Sequence, residues 1–214
     1  MADLIHQYFE TYLDLSPQAA IDLHAKYYKT YGLAIGGLMR FHQVDPLHFN
    51  SKVDDALPLE DLIQPRPEIV RLLRDINRNE VKLWLFTNAY VNHAKRVVKI
   101  LGIDDIFEGI TYCDYTSLPF KSKPEKEMFN KAMEDAGVER MEDCYFVDDN
   151  YYNCRTAEEI GWNSAHLVED GMPVPEKQAS KHQIEHLEEL RGTFPHLFKT
   201  PPPKTNGVKG SGTQ

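Results

Sequence analysis

The chain has 214 residues, of which 42% are hydrophobic and 27% are charged, and its formal net charge is -9. This length allows one large domain or a core with a smaller module, and the composition is that of an ordinary globular protein. The negative charge excludes nucleic-acid polymers and anionic membranes as expected partners, because such binding needs a basic surface. A small anionic substrate, held by a metal ion and a few backbone amides, is not excluded.

The cysteines and the first residues of the chain indicate a reducing compartment inside the cell. Cys113, Cys144 and Cys154 show no C-x-x-C spacing, and so sparse and odd a count indicates reduced thiols. The first residues carry acids and no basic segment before an apolar run, so no signal peptide is expected. No apolar run approaches the roughly 20 residues that a membrane-spanning helix needs. We therefore expect a protein of the cytoplasm, with the nucleus as the other compatible compartment.

The first 64 residues show helical patterns only. Apolar residues recur with helical spacing over 3–13, and Ser16 before Pro17 is a typical helix start, with serine as the N-cap. A partly apolar face continues to Gly32, where this second helix is expected to end. Residues 1–64 are therefore predicted to be an all-helical region.

After residue 64 the pattern changes to short apolar runs that alternate with helices. The runs VKLWLF (81–86), GITY (109–112), CYFV (144–147) and SAHLV (164–168) predict strands. Strands that alternate with helices of about ten residues indicate a parallel sheet with helices on both faces. The expected fold class is therefore α/β.

The C-terminal part is predicted to contain one more helix over residues 181–191. Its motif HQIEH spaces His182 and His186 by four residues, but Gln183 stands where a metalloprotease helix has its glutamate, so surface histidines are preferred. The chain end, residues 196–214, is rich in Pro, Gly, Ser and Thr and is predicted to be a disordered tail.

Polar residues follow two of the predicted strands. Thr87 and Asn88 come directly after VKLWLF, and Asp148 and Asp149 come directly after CYFV. Ligands of parallel α/β sheets bind at the carboxyl ends of the strands, so these residues are expected to meet at one site. Lys123, just before a predicted helix, completes the group. A hydroxyl, an isolated lysine and paired carboxylates suit a phosphate group and Mg²⁺, which prefers oxygen ligands.

Each of these residues also has a simpler interpretation. Taken alone, Thr87 is a loop residue or a helix N-cap, and Lys123 is a solvated surface lysine. Asp148 and Asp149 could serve as turn and N-cap residues. The order of the residue types along the chain, with a hydroxyl first, a lysine next and an acid pair last, favours the phosphate site.

That order resembles the motifs of the haloacid dehalogenase (HAD) superfamily. LWLFTNAY, KPEKEMFNKA and YFVDDNYYNC resemble its second, third and fourth motifs. LWLFTNAYVNHAKRVVKILGI, GITYCDY and the long segment that begins KYYKTYGLAIGG resemble more closely the fungal pyrimidine 5′-nucleotidase group, whose members dephosphorylate UMP and CMP. The resemblance extends over residues 1–170.

The resemblance implies an architecture and a reaction. The core, residues 65–195, would be a Rossmann-like HAD fold, and residues 1–64 would be its helical cap. The substrate would be a pyrimidine nucleoside monophosphate, the cofactor Mg²⁺, and the reaction would pass through an aspartyl-phosphate. No nucleic-acid polymer or membrane partner is expected, and the oligomeric state is left open.

The resemblance also implies roles for the site residues. Thr87 would bind the transferring phosphate together with the backbone amide of Asn88, and Lys123 would offset negative charge on the nucleophile and the phosphate. Asp148 and Asp149 would bind Mg²⁺ directly or through water. Asn153, on the helix after the acid pair, would orient those two carboxylates.

One motif of the family is missing from the sequence. The attacking aspartate belongs to a D-x-D-x-[TV] motif on a central first strand, and no such motif occurs here; the nearest acid cluster, VDDAL (53–57), lies in the helical region. Without that strand, the strands ending at Phe86 and Val147 have unpaired edges, and each buried unsatisfied group costs about 1–3 kcal/mol. We therefore expect a truncated version of a longer protein, inactive as a phosphatase. Direct pairing of the two flanking strands is the alternative.

Three functions are compatible with the sequence. The first is a pyrimidine 5′-nucleotidase seen without its first strand. The second is another small-molecule HAD phosphatase, which tests with nucleotides and sugar phosphates would distinguish. The third is a non-catalytic protein that keeps the phosphate and metal sites. The base preference is open in each case.

Overall fold

The computed structural model describes residues 1–200, and its first part is helical. Five helices form this N-terminal helical region: α1 (Ala2–Leu13), α2 (Pro17–Tyr31), α3 (Ala34–Phe41), α4 (Pro46–Lys52) and α5 (Leu59–Leu62). The Ser16 hydroxyl accepts a hydrogen bond from the amide of Ala19 at 3.4 Å, and Gly32 ends α2 with a φ of 73°. Both ends of α2 lie where the sequence predicts them, because serine satisfies a free amide and glycine tolerates a positive φ.

The helical region contains a hydrophobic core that continues beyond it. Its buried side chains include Ile5, Tyr8, Phe9, Ala20, Tyr27, Ile35, Leu38, Phe49 and Val53. Cys113, Tyr115 and Phe120, which come much later in the chain, are buried in the same cluster. The helical region is therefore packed against the rest of the molecule through shared apolar surface.

Strands and helices alternate in the remainder of the described chain. They are α6 (Pro67–Arg74), β1 (Trp84–Thr87), α7 (Val91–Ile100), β2 (Gly109–Tyr112), α8 (Lys126–Ala136), β3 (Tyr145–Asp148), α9 (Tyr151–Glu159), β4 (Asn163–Leu167), β5 (His182–Ile184) and α10 (Leu190–Thr193). All pairs of these strands are parallel. The α/β fold class is confirmed. None of the helices described in residues 1–200 is both long and apolar enough to cross a membrane.

The strands form two separate sheets. β1 pairs with β2, and β3, β4 and β5 follow one another in a second sheet; within residues 1–200 no strand pairing joins β1 to β3. Both strands nevertheless run side by side in one direction. Lys123 bonds to both at their carboxyl ends, and Lys82 and Asp143, near their amino ends, line one cavity. The expectation of unpaired edges is confirmed, and the alternative of direct pairing is wrong.

Aromatic side chains join the two sheets where the backbone does not. Phe86 of β1 lies 5.8 Å from Phe146 of β3, measured between ring centroids. Phe129 of α8 lies 5.2 Å from Phe86 and 5.2 Å from Trp162, which precedes β4. The rings occupy the space between the strands on the α8 side. Packing of these large side chains holds β1, β3 and α8 against one another without a backbone ladder between the two strands.

Residues 181–191 differ from the sequence-based expectation of a single helix. His182–Ile184 form the edge strand β5, with Ala165 opposite His182 and Leu167 opposite Ile184. Ile184 is buried, and its burial against β4 outweighs the helical spacing of the sequence, because strand formation depends on packing against neighbours. His182 and His186 therefore do not share a helix face.

The prediction of a disordered tail over residues 196–214 fails at its start. Phe198 forms an antiparallel bridge with Ile76, and the Lys199 amide donates a hydrogen bond to the Asp75 carbonyl at 2.8 Å. The prediction of disorder is therefore wrong for residues 196–199. The rest of that prediction, residues 201–214, lies outside the described residues.

The aromatic cluster between the sheets gives a test of the fold. Replacement of Phe129 by alanine should lower the free energy of unfolding by about 3–5 kcal/mol, because a fully buried ring is lost from the centre of the cluster. Denaturant unfolding measures this. The control Tyr152→Ala removes a ring that is 60% exposed and should change stability by less than about 0.5 kcal/mol. Equal losses in the two variants would contradict the assigned role of the cluster.

Candidate functional site

A buried lysine connects the carboxyl ends of the two sheets. Lys123 is only 5% exposed. Its Nζ donates to the carbonyl of Phe86 at 3.0 Å and to Oδ2 of Asp148 at 2.6 Å. The ammonium also lies 4.8 Å from the ring centroid of Phe86 and 5.3 Å from that of Phe146. The interpretation of Lys123 as a solvated surface residue is therefore wrong.

The side chain of Asn88 holds the backbone of that lysine. Asn88 Nδ2 donates to the Lys123 carbonyl at 2.9 Å, and the Lys123 amide donates to Asn88 Oδ1 at 2.8 Å. Such reciprocal bonding fixes the segment before α8 against the end of β1. The amide side chain is occupied by this task, which leaves the backbone amide as the group of Asn88 predicted to bind phosphate.

Asp148 is held from three directions. Its Oδ1 accepts hydrogen bonds from the amide of Asn150 at 2.9 Å and from Nδ2 of Asn153 at 3.0 Å. Its Oδ2 accepts from Lys123. Hydrogen bonds to an ionised carboxylate are stronger than those between neutral groups, so this acid has a fixed orientation. The structure places Asn153, which is 6% exposed, where it orients Asp148.

Asp149 has the opposite environment. It is exposed, and none of residues 1–200 donates a hydrogen bond to its carboxylate. Its carbonyl accepts a hydrogen bond from Nε2 of His166 at 3.1 Å. One acid of the pair therefore faces a cation inside the protein and the other faces solvent, which limits the repulsion between two adjacent negative charges.

Thr87 lies at the end of β1, one residue after the carbonyl that binds Lys123. Its Oγ1 accepts a hydrogen bond from the amide of Ala89 at 3.0 Å. Thr87 is the last residue of β1, and the N-cap of α7 is Tyr90, so the interpretation of this threonine as a loop residue or helix N-cap is wrong. The hydroxyl proton remains able to donate, because a hydroxyl accepts and donates through different positions.

Two buried residues behind the acid pair were not identified from the sequence. His166 on β4 lies opposite Asp148 in the ladder and is 5% exposed. Cys154 Sγ donates to the Asp148 carbonyl at 3.2 Å, and burial, followed by the charge of Asp148, raises the pKa of this thiol to about 12. Cys154 therefore stays protonated as a donor. A histidine inside the apolar run SAHLV was the available signal for His166.

The helical region reaches this site through Gly32. A Cβ atom placed on Gly32 would lie 3.2 Å from the carbonyl oxygen of Lys123. Arg40 of α3 forms an ion pair with Glu125 at 3.2 Å, two residues beyond the lysine. The two regions of the chain thus meet beside the backbone of Lys123.

A second polar cluster joins the two regions further along their boundary. Asp54, 6% exposed, accepts a hydrogen bond from the Tyr115 hydroxyl at 3.3 Å, and His93 Nδ1 contacts the Asp54 carbonyl at 3.4 Å. Burial raises the pKa of Asp54, and His93 and the bond from Tyr115 oppose that shift. Burial likewise raises the pKa of Tyr115 well above its usual value.

The acid pair is compatible with Mg²⁺ binding in which water and substrate oxygens complete the coordination shell. Within residues 1–200 no group of three or more His, Cys, Asp or Glu side chains is arranged to hold a metal ion. Mg²⁺ is usually bound by one or two carboxylates, with water and substrate oxygens completing the shell. Asp148 and Asp149 could supply that number of carboxylates, so their chemistry is compatible with the ion, and their role as its ligands stays a prediction.

Comparison with known proteins establishes the class. The family model "haloacid dehalogenase-like hydrolase" matches residues 6–161, and the chain belongs to this family. A curated relative, Phosphate metabolism protein 8 of Saccharomyces cerevisiae, is 38% identical over 179 residues. The match covers 79% of this chain and 56% of the relative, so the chain spans little more than half of that protein's length.

Solved structures with the same fold are more distant in sequence. A dehalogenase crystal structure gives a TM-score of 0.60 at 18% identity, covering 92% of each chain. A HAD phosphatase from Thermococcus onnurineus gives 0.57 at 21% identity, covering 89% of this chain and 86% of the other. The putative HAD-hydrolase YfnB from Bacillus subtilis gives 0.57 at 18% identity, covering 89% and 79%. At these identities the likeness is one of fold.

The ion pair at the centre of the site predicts a specific pattern of stability. Lys123→Met should destabilise the protein by about 3–5 kcal/mol in denaturant unfolding, because it leaves the buried carboxylate of Asp148 without its cation. The double variant Lys123→Met with Asp148→Leu should lose less than the single variant. Lys131→Met breaks only a surface pair on α8 and should cost at most about 0.5 kcal/mol. A double variant less stable than the single one would overturn this account.

The pKa of Asp54 predicts a pH-dependent stability. Because the folded state raises this pKa, Asp54 stabilises the fold below the unfolded value of 3.8, and that stability is lost as pH rises through the folded pKa. Asp54→Asn keeps the acceptor for Tyr115 without the charge. Its melting temperature should exceed that of the wild type at about pH 7, and the difference should shrink towards pH 3. The exposed control Asp61→Asn should show no such trend.

Proposed function

We propose that this chain forms the phosphate- and metal-binding part of a Mg²⁺-dependent phosphatase of the HAD type, with pyrimidine nucleoside monophosphates as substrates of the complete enzyme. The observation that carries the proposal is the buried ammonium of Lys123, which joins the carboxyl ends of β1 and β3 beside Thr87. A fixed cation and a hydroxyl at the carboxyl ends of parallel strands suit an anionic ligand. The yeast relative, by its name a phosphate metabolism protein, supports this choice of chemistry.

Each site residue has a defined task under this proposal. Thr87 donates its hydroxyl proton to a phosphate oxygen, assisted by the backbone amide of Asn88, while the side chain of Asn88 keeps Lys123 in place. Lys123 offsets the negative charge that the phosphate brings. Asp148 and Asp149 would hold Mg²⁺, which would supply charge stabilisation to a bound phosphate. Asn153 keeps Asp148 oriented.

The attacking carboxylate is the part that this chain does not provide. Its sequence contains no D-x-D-x-[TV] motif, and none of the strands in residues 1–200 lies between β1 and β3. We therefore propose that these residues form the phosphate- and metal-binding part of a longer nucleotidase, and that they are inactive in isolation. Residues 1–64 would act as the cap that selects the substrate, in a cytoplasmic protein.

The missing motif also favours a second candidate function. A protein that keeps Lys123, Thr87 and the acid pair can bind a phosphomonoester and Mg²⁺ without hydrolysing it. Such a protein would serve as a binding module rather than an enzyme. The two functions make the same binding prediction and differ in whether phosphate is released.

Binding and turnover of UMP test the proposal together. Calorimetry should detect UMP binding that is strengthened by Mg²⁺, and phosphate release should be absent or slight, because the attacking carboxylate is missing. Asp149→Asn should reduce the Mg²⁺ effect about tenfold or more, whereas Asp170→Asn, another exposed acid, should not.

Glucose 6-phosphate as competitor distinguishes a nucleotidase from a general phosphatase. Failure to bind any phosphomonoester would sink the proposal, and rapid release of phosphate would refute the claim of inactivity.

A further inference from the structure

Two buried polar atoms on neighbouring strands of the second sheet have no hydrogen-bond partner. They are Nδ1 of His166 on β4 and Oε1 of Gln183 on β5, and neither has a partner among residues 1–200. Buried polar atoms without a partner are costly and therefore rare in folded proteins. Each of the two needs a physical explanation.

The register of the sheet places these two side chains next to each other. Asp148 of β3, His166 of β4 and Gln183 of β5 are successive partners across the three strands. Partners in a parallel ladder direct their side chains to the same face, because side chains alternate along each strand in step. The ring of His166 lies 6.0 Å from that of Tyr151 on α9, measured between centroids, so α9 covers this face.

The second ring nitrogen of His166 shows which of the two carries the proton. Nε2 lies 3.1 Å from the carbonyl oxygen of Asp149, and a carbonyl only accepts hydrogen bonds. In a neutral imidazole one nitrogen carries a proton and the other is an acceptor. Nε2 is therefore the donor, and the buried Nδ1 is an acceptor that needs a donor opposite it.

The amide of Gln183 can supply that donor. Its oxygen and nitrogen exchange places when the amide group flips, while the rest of the side chain keeps its position. With the nitrogen turned inwards, Nε2 of Gln183 donates to Nδ1 of His166. Gln183 is only partly buried, so its oxygen can then face solvent at the edge of the sheet. One hydrogen bond thus satisfies both buried positions.

His166 in turn bonds to the peptide unit between Asp149 and Asn150. The carbonyl of this unit accepts from His166, and its N–H, which belongs to Asn150, donates to Oδ1 of Asp148 at 2.9 Å. A peptide unit is planar, so a bond at its carbonyl also fixes the direction of its N–H. Hydrogen bonds that follow one another in this way polarise and strengthen one another. The orientation of the Asp148 carboxylate therefore depends on His166.

We propose that Gln183 is a positioning residue of the candidate site, acting on Asp148 through His166. Its amide donates to His166, which donates to the peptide unit after Asp149, and the N–H of that unit holds the carboxylate. The edge strand β5 would thereby orient the acid pair from two strands away. The hydrogen bonds need no substrate, whereas their effect on Mg²⁺ rests on the proposed function.

Nuclear magnetic resonance of the full chain labelled with ¹⁵N tests the hydrogen bonds without any ligand. His166 should show a protonated Nε2 and an unprotonated Nδ1, and Nδ1 should be coupled through the hydrogen bond to Nε2 of Gln183. A proton on Nδ1, with or without one on Nε2, would overturn the proposal, because Gln183 would then be the acceptor. A water molecule as the partner of Nδ1 would overturn it as well.

A matched pair of variants tests whether the effect of Gln183 reaches the acid pair. Gln183→Met keeps the length of the side chain and removes its amide, and Gln178→Met does the same at an exposed position nearby. In the first variant the amide proton of Asn150 should shift upfield, since its bond to the carboxylate weakens; in the second it should not. A change confined to β5, in protein that circular dichroism shows to be folded, would contradict the positioning role. The wild-type spectrum decides if Gln183→Met does not fold.

The consequence for the site is measured as the Mg²⁺ effect on UMP binding by calorimetry. Gln183→Met should reduce this effect about threefold, less than the roughly tenfold typical of a residue that contacts a metal ligand directly. Gln178→Met should leave it unchanged. His166→Gln, which keeps a donor at the position of Nε2, should retain more of the effect than His166→Asn.

The outcomes separate this inference from the proposed function. An unchanged Mg²⁺ effect in Gln183→Met, together with a shifted Asn150 signal, would refute the positioning of the metal site by Gln183. If the wild type binds no UMP, the proposed function fails, and the spectra alone decide whether Gln183 orients Asp148.

Discussion

The buried ion pair between Lys123 and Asp148 is the contact on which the arrangement of the two sheets depends. Within residues 1–200 no backbone ladder joins β1 to β3, and the two strands are connected through this ion pair, the bond from the ammonium to Phe86 and the aromatic packing beneath it. Buried charges are tolerated only when each is paired and further hydrogen-bonded. Here Asn153 completes the partners of the acid, and Asn88 fixes the segment that carries the cation. The site is therefore also a structural joint.

The two adjacent acids, Asp148 and Asp149, have different environments. Asp148 has three donors and a fixed orientation. Asp149 faces solvent, and among residues 1–200 its hydrogen bond is the one that its backbone carbonyl accepts from His166. A cation reaching the pair would find one ligand already placed and one able to turn. Affinity for that cation would be set by how readily Asp148 exchanges part of its bond to Lys123, which links metal binding to the joint between the sheets.

Much of this site could be predicted from the sequence, because its residues follow strands whose ends must meet in a parallel sheet. Thr87 and Asp148 are predicted in this way, and Lys123 is predicted from its place just before a helix. The different environments of Asp148 and Asp149 could not be predicted from the sequence, because they depend on which side of β3 faces Lys123. The helix predicted over 181–191 failed because the strand there gains its stability from β4, a partner that local spacing does not reveal. The role of the Asn88 side chain in holding Lys123 could not be predicted, because the two residues are 35 positions apart in the sequence.

The contact between Gly32 and Lys123 limits which residues position 32 can accept. Its positive φ already favours glycine at the end of α2, and the carbonyl of Lys123 would lie 3.2 Å from any added Cβ. Position 32 is thus restricted twice, once by its own helix and once by a residue 91 positions later. Among homologous chains, tolerance to mutation at this position should follow the loop that carries the lysine rather than the helix that ends there. A substitution at position 32 would be accepted only together with a change in that loop.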